Sequence, residues 1–106
     1  MRVTVSHNKS PEDIKRQVDR SFDDIFKGMP IGPVQITDEQ RTWAGSTLNF
    51  TFNARAAFMV IPIKGFILVE QKQVTIEVDL PSFLNQFIPE EKMKTAVEGR
   101  VKGLLT

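Results

Sequence analysis

The sequence predicts an α+β fold in which one antiparallel sheet of about five strands carries two helices on one face. Alternating apolar and polar residues, typical of half-buried strands, occur once near the N-terminus and in four successive stretches in the middle of the chain. Apolar residues at three- and four-residue steps, typical of amphipathic helices, occupy the segments before and after those four stretches. The predicted element order is therefore β-α-β-β-β-β-α.

The first strand and the first helix have clear signals. Val3 and Val5 alternate with polar residues, which predicts a short strand with one buried face. Ser10 and Pro11 are typical N-cap and first-turn residues, so a helix is expected over 11–27. Its apolar stripe is predicted to consist of Ile14, Val18, Phe22, Ile25, Phe26 and Met29.

The next two strands are predicted to form a hairpin. A strand begins at Val34 and continues to Trp43, and the polar stretch 38–41 favours an edge position or a bulge there. The residues Ala44-Gly45-Ser46 predict a tight turn. The following strand alternates most regularly, and its apolar positions are Leu48, Phe50, Phe52 and Ala54.

The stretch from Ala56 to Leu80 predicts two strands joined at 70–73, after a turn at Arg55-Ala56. The first of them, over 57–70, is apolar on both faces. One face carries Met59, Ile61, Ile63, Ile67 and Val69. The other carries Phe58, Val60, Pro62, Phe66 and Leu68, interrupted by Lys64. Since the neighbouring strands have only one apolar face, this second apolar face is more than the core requires, and we call it the surplus apolar face.

The C-terminal part completes the sheet and adds the second helix. The last strand presents Val74, Ile76, Val78 and Leu80 on one face. Ser82 is a possible cap for a helical turn with Phe83, Leu84, Phe87 and Ile88. Pro89 starts or kinks a further helix, whose predicted apolar positions are Met93, Val97, Val101 and Leu104 or Leu105.

Composition limits the classes of function. The 106 residues fit a single domain, and a net charge of +1 gives no support for nucleic-acid binding. The chain has no cysteine, and it has neither a signal-like segment nor an apolar run near the roughly 18 residues of a membrane span. A cytoplasmic protein is therefore expected.

Catalytic chemistry has little support in the sequence. His7 is the only histidine, and a hydrogen-bonded loop role is favoured for it over a general base. The carboxylate pairs Asp38-Glu39 and Glu77/Asp79 are expected to be solvated. No glycine-rich phosphate loop is present. We therefore predict no catalytic, cofactor-binding or metal-binding residues.

The surplus apolar face is the best candidate for a contact surface. It is either core, buried by sheet curvature or by the segment 83–88, or a surface for dimerisation, a lipid-like ligand or an apolar particle. Burying an apolar side chain contributes about 1.5–3 kcal/mol, so a partner is expected if the face is open. The candidate contact residues are Phe58, Val60, Pro62, Phe66, Leu68 and Trp43.

Several segments together resemble one bacterial family. These segments are SHNKSPEDIKRQVDRSFDDIF at 6–26, WAGSTLNF at 43–50, IKGFILV at 63–69, VTIEVDLP at 74–81 and PEEKMKTAVEGRVKGLL at 89–105. In order and spacing they are similar to the polyhydroxyalkanoic acid system proteins. The resemblance implies association with polyester storage granules and brings no catalytic residue. The element order is also similar to a shortened helix-grip fold, in which a curved sheet grips a helix around an apolar ligand.

These expectations leave several functions open. The first is a non-enzymatic accessory protein that touches polyhydroxyalkanoate granules, their acyl precursors or a granule protein through an apolar surface. The second is a small helix-grip-like carrier of an apolar or acyl ligand, and the third is a hydroxyacyl hydrolase using His7 or carboxylates. A homodimer formed through the same face is a further possibility.

Overall fold

The predicted order of strands and helices is confirmed by a computed structural model, which describes residues 1–26, 34–56, 58–81 and 89–105. Predictions for Lys27, Met29 and the segment 82–88 lie outside the described residues. The elements are β1 (Arg2–Ser6), α1 (Pro11–Phe26), β2 (Val34–Ala44), β3 (Thr47–Ala56), β4 (Met59–Val69), β5 (Gln73–Asp79) and α2 (Glu90–Leu105).

The five strands form one antiparallel sheet in the order β1-β5-β4-β3-β2. Strands β2 to β5 follow one another as a meander, and β1 pairs with β5. The first two strands of the chain therefore lie at opposite edges of the sheet. Since α1 stands between them in sequence, the connection containing α1 has to cross the whole sheet, which places its apolar stripe over the central strands.

Helix α1 begins and buries its stripe as predicted. The backbone N–H of Asp13 donates to Ser10 Oγ at 3.2 Å, which satisfies one of the free donors at the helix start. All five predicted stripe residues within the described helix are buried, with at most 3% exposure: Ile14, Val18, Phe22, Ile25 and Phe26. The opposite side of the helix carries the charged residues and faces solvent.

Four phenylalanine rings fill the space between α1 and the sheet. Phe50 of β3 lies 5.1 Å from Phe22 and 5.0 Å from Phe26, measured between ring centroids. Phe26 also lies 5.7 Å from Phe52. These distances are in the range at which aromatic pairs contribute about 0.5–1.5 kcal/mol beyond burial. The centre of the core is therefore occupied by interlocking side chains.

Helix α2 contributes to the same core beside β1 and α1. Val97, Val101 and Leu105 are buried, as the helical spacing predicts. The guanidinium of Arg100 donates to the backbone carbonyl of Asp24 near the end of α1. Residues from both helices and from one face of every strand but β2 belong to one buried cluster, which Ile36 and Trp43 of β2 contact while half-buried. This arrangement confirms the predicted α+β class.

Strand β2 is both an edge strand and a bulged strand, so both features expected from its polar centre are present. Its pairing with β3 runs from Thr37 opposite Asn53 directly to Gln40 opposite Thr51. Two residues of β2 therefore face a single residue of β3, which defines a bulge. Asp38, the first of the two, has φ of 56°, a left-handed conformation that glycine usually adopts in such bulges.

Hydrogen bonds hold the Asp38 carboxylate in place. It accepts from Asn53 Nδ2 at 3.0 Å and from Thr37 Oγ1 at 3.1 Å. These bonds, that from Asn53 foremost, lower the pKa of the Asp38 carboxyl because they favour its charged form. Their stabilising effect is therefore present above the carboxyl's unfolded-state pKa and is lost as the pH falls through its lowered folded-state value.

The turn between β3 and β4 lies later than the sequence indicated. The predicted turn at Arg55-Ala56 is wrong, because Arg55 pairs with Val60 and Ala56 pairs with Met59. Phe58 therefore belongs to the turn and not to a strand face. Met59, predicted to face the core, is 42% exposed, because the core begins only at Ile61, which is 7% exposed.

The centre of β4 requires a residue without a side chain. Gly65 lies directly opposite Phe50 on β3 and Val78 on β5. A Cβ atom at this position would collide with the backbone carbonyl oxygen of Glu77 and would lie 2.7 Å from Cζ of Phe50. The ring of Phe50 thus packs over bare backbone, and the four-ring cluster depends on this close approach.

We expect Gly65→Ala to lower the free energy of unfolding by about 1–3 kcal/mol, because the added methyl overpacks a filled site. The measurement is urea-induced unfolding. Gly99→Ala is the matched control, because a Cβ at that exposed helical position meets nothing within 4 Å. It should raise stability by about 0.8–1.0 kcal/mol. An unchanged Gly65→Ala protein would contradict the packing described above.

A second pair of variants tests the backbone conformation of Asp38. Asp38→Gly and Asp38→Ala both remove the carboxylate, so the difference between them reports the cost of the positive φ, less the greater unfolded-state entropy of glycine. We expect the alanine variant to be less stable than the glycine variant by about 1–2 kcal/mol, measured by chemical denaturation. Equal stabilities would show that the bulge does not require a left-handed residue.

Candidate binding surface

The two faces of the sheet differ in their cover. One face contributes its side chains to the buried cluster with α1 and α2. The other, here called the open face, carries Val60, Pro62, Lys64, Phe66 and Leu68 of β4 together with their cross-strand neighbours. Of these five, the first three are exposed and the last two are half-buried. An antiparallel sheet tolerates such a one-sided arrangement when the second face is largely polar.

Five of the six predicted contact residues lie along one line. Phe58 stands at the turn before β4, and Val60, Pro62, Phe66 and Leu68 follow it on the open face. The strand alternation proposed for this face is therefore present from residue 60 onward. Lys64 divides the line into a part near the turn and a part near the other end of β4.

Trp43, the sixth predicted contact residue, lies on the helix-bearing face. It pairs with buried Leu48, its Nε1 donates to Asp19 Oδ1 at 3.2 Å, and the Lys15 ammonium lies 4.9 Å from its ring centroid. The bulge explains this position. Ile36 and Trp43 are an odd number of residues apart and would face opposite sides of a regular strand, but the extra residue puts both beside the core.

Among the residues that the structure describes, the exposed large apolar side chains are those of Phe58, Met59 and Val60, here called the apolar tip. Phe58 has 102% of the reference exposure, and Met59 and Val60 have 42% and 51%. Strand alternation alone does not identify Met59 as a contact residue, because alternation does not record where the core ends. The β3–β4 pairing that ends at Ala56 opposite Met59 places all three residues at one end of the sheet.

A groove of about 750 Å³ crosses the open face and includes Lys64 and Phe66 of β4. Strand register puts Asp79, Lys64, Thr51 and Gln40 in one row across the sheet. The adjacent row contains Glu77, Phe66, Asn49 and Thr42. A neighbouring groove of about 680 Å³ shares the first row. Polar residues therefore separate the apolar tip from Phe66 and Leu68.

The charged group of Lys64 stays in contact with solvent on this surface. Its side chain is exposed, and the register places it directly opposite Asp79 of β5 and Thr51 of β3. A cross-strand pair of opposite charge stabilises a sheet by about 0.2–1 kcal/mol. The residue that interrupts the apolar line is thus a solvated member of a polar row.

His7 is a structural residue, as the sequence favoured. It is 5% exposed, and its Nδ1 accepts a hydrogen bond from the backbone N–H of Lys9 at 3.2 Å. Nε2 therefore carries the proton and donates to the Glu70 carbonyl at 2.8 Å. Both ring nitrogens are engaged by the main chain, which links the end of β1 to the β4–β5 turn.

Metal-binding clusters and membrane spans are not found in the described part of the chain. Among residues 1–26, 34–56, 58–81 and 89–105, no three His, Cys, Asp or Glu side chains are grouped so that they could hold a metal ion. Neither described helix, each of 16 residues, is long and apolar enough to cross a bilayer. In comparison with known proteins, no family model, no curated protein and no solved structure matches the chain.

The bonds of His7 generate a stability prediction. His7→Ala leaves the Lys9 N–H and the Glu70 carbonyl without their partner, so we expect a loss of about 1–3 kcal/mol in the free energy of unfolding. The exposed neighbour Asn8 provides the control, and Asn8→Ala should change stability by no more than about 0.5 kcal/mol. Thermal or urea unfolding measures both, and a neutral His7→Ala would refute the structural role.

Proposed function

We propose that this protein is a non-enzymatic, cytoplasmic accessory protein of polyhydroxyalkanoate granules, which contacts the granule through an apolar surface. The carrying observation is the apolar tip, where Phe58 is fully exposed beside two half-exposed apolar residues. The granule as partner comes from the sequence resemblance to the polyhydroxyalkanoic acid system proteins. The contact surface comes from the exposure of the residues.

The position of the apolar tip supports contact with a broad apolar surface. A turn at the end of two paired strands projects its side chains beyond the body of the sheet, so they can touch a surface without rearrangement of the core. Burial of an apolar side chain contributes about 1.5–3 kcal/mol. Phe58, Met59 and Val60 together therefore supply several kcal/mol when covered, less the cost of ordering the complex.

A carrier that encloses its ligand is less well supported. A helix-grip carrier holds its ligand between helix and sheet. Here the rings of Phe22, Phe26, Phe50 and Phe52 meet one another in that space, at centroid distances of 5.0–6.0 Å. The exposed tip offers a contact that requires no such cavity.

A hydroxyacyl hydrolase is also less well supported. His7 is the histidine that such an enzyme would use as a base, and both of its ring nitrogens are bonded to backbone groups. A base must reach the proton that it removes, which His7 could do only after breaking one of these bonds. Binding without catalysis is the function that the described side chains favour.

Co-sedimentation with polyhydroxybutyrate granules tests the proposal. We expect the double variant Phe58→Ser, Val60→Thr to pellet with an apparent dissociation constant at least about tenfold higher than that of the wild type. The reason is that each apolar contact contributes about 1.5 kcal/mol or more, and 1.4 kcal/mol corresponds to a factor of ten. Both substituted residues are exposed, so the fold should be retained.

The matched control is Gln71→Ser, at the turn between β4 and β5 and thus at the opposite end of β4. It should pellet like the wild type. Equal pelleting of the tip variant and the control would rule out the tip as the contact surface. Failure of the wild type to pellet with granules, together with binding to an unrelated apolar particle such as polystyrene, would reject the granule as the partner.

A further inference from the structure

The larger groove on the open face has a chemistry different from that of the apolar tip. Its floor contains the amides of Gln40 and Asn49, the hydroxyls of Thr42 and Thr51, and the ring of Phe66. Within the described part of the chain, the four polar side chains make no hydrogen bond to another protein group. Their donors and acceptors are available to a ligand.

The charged residues at this groove carry both signs. Lys64 lies directly opposite Asp79, and Arg2 lies directly opposite Glu77 on the neighbouring strand. Arg41, which also borders the groove, makes ion pairs with Glu39 at 3.1 Å and with Asp19 at 3.5 Å. Each of these three cations thus lies opposite or next to an acidic residue. The groove has no surplus of either sign that would select an ionic ligand.

The hydrogen-bond donors and acceptors of the groove side chains further limit the class of ligand that can bind. Asn and Gln amides and Thr hydroxyls can donate and accept, whereas the carboxylates of Asp79 and Glu77 can only accept. A ligand that covers these carboxylates must bring O–H or N–H donors, because an unsatisfied polar group is costly to bury. An ester chain brings acceptors alone. A polyhydroxylated ligand brings both donors and acceptors.

Phe66 is the apolar side chain in the middle of the groove, which Met1 and Leu80 also line. It stands in the row between Glu77 and Asn49, with polar neighbours on both adjacent strands. Adjacent strands are about 4.7–4.9 Å apart, so β3 and β5, which flank β4, are separated by about 9.5 Å, and their side chains can bond to opposite edges of one sugar ring. The C–H face of the ring would then rest on the phenyl group.

We propose that the open-face groove binds a neutral saccharide, with Phe66 under the sugar ring and Asn49, Thr51 and Glu77 bonded to its hydroxyls. The volume of about 750 Å³ lies within the range of small-molecule sites. This site is separate from the granule contact assigned to the apolar tip. Granule binding and saccharide binding can therefore fail independently.

Nuclear magnetic resonance of the 15N-labelled protein tests the saccharide site, with maltohexaose and cellohexaose as probes. The expected result is saturable shift changes concentrated at residues 49–51 and 64–66 and at the Asn49 side-chain amide, with at least one probe. Asn49→Val should weaken binding about two- to tenfold, the effect of one neutral hydrogen bond. Phe66→Leu keeps an apolar side chain but removes the flat ring, and it should also weaken binding.

The matched control is Gln35→Val, an equivalent loss of an amide on β2 outside the groove. It should leave the affinity unchanged, as should the tip variant Phe58→Ser, Val60→Thr. The dispersion of each variant's spectrum shows whether it is folded. The proposal is overturned if neither saccharide shifts the groove residues, if Asn49→Val binds like the control, or if a soluble tetramer of 3-hydroxybutyrate shifts these residues at lower concentration than the saccharides.

Discussion

The packing of the Phe50 ring over the bare backbone of Gly65 is the contact on which the core depends. Because Gly65 has no side chain, the Phe50 ring of β3 can lie close to the sheet backbone. Phe22 and Phe26 of α1 contact it there at centroid distances of 5.1 and 5.0 Å. Helix α1 lies between the two edge strands in sequence, so its packing sets the route of the chain from one edge of the sheet to the other. A single glycine thus couples the packing of the central strands to the path of the whole N-terminal half.

Much of this fold could be predicted from residue patterns, because one-sided burial leaves a simple periodic signal. The stripe of α1 and the alternation of β3 follow directly from that signal. Residue patterns predict the positions of Trp43 and Met59 less well, for physical reasons. A bulge shifts the phase of alternation and moves Trp43 to the other face, while the buried part of β4 begins only at Ile61 and leaves Met59 in solvent. The alternation of apolar and polar residues alone shows neither where a bulge occurs nor how far the buried core extends along a strand.

The contact surface was only partly predictable for a related reason. The apolar line along β4 is visible in the sequence, but its division by a polar row depends on register. In the sequence, Lys64 only interrupts a run of apolar residues. In the structure it lies between Asp79 and Thr51, in the middle of a groove. The neighbours that give the groove its chemistry come from β2, β3 and β5, which are distant in sequence. Cross-strand pairing therefore carries information about function that a single segment does not.

The bulge in strand β2 also affects how readily the protein aggregates at high concentration. An edge strand of 11 residues presents a row of backbone N–H and C=O groups with which another chain can pair. The bulge at Asp38 twists that row out of line near its middle, and the carboxylate adds a fixed negative charge at the same point. A second molecule that extends the sheet would meet two short, misaligned segments. Asp38, which shifts the alternation of β2, therefore also opposes the repeated addition of strands at this edge and the growth of fibrils.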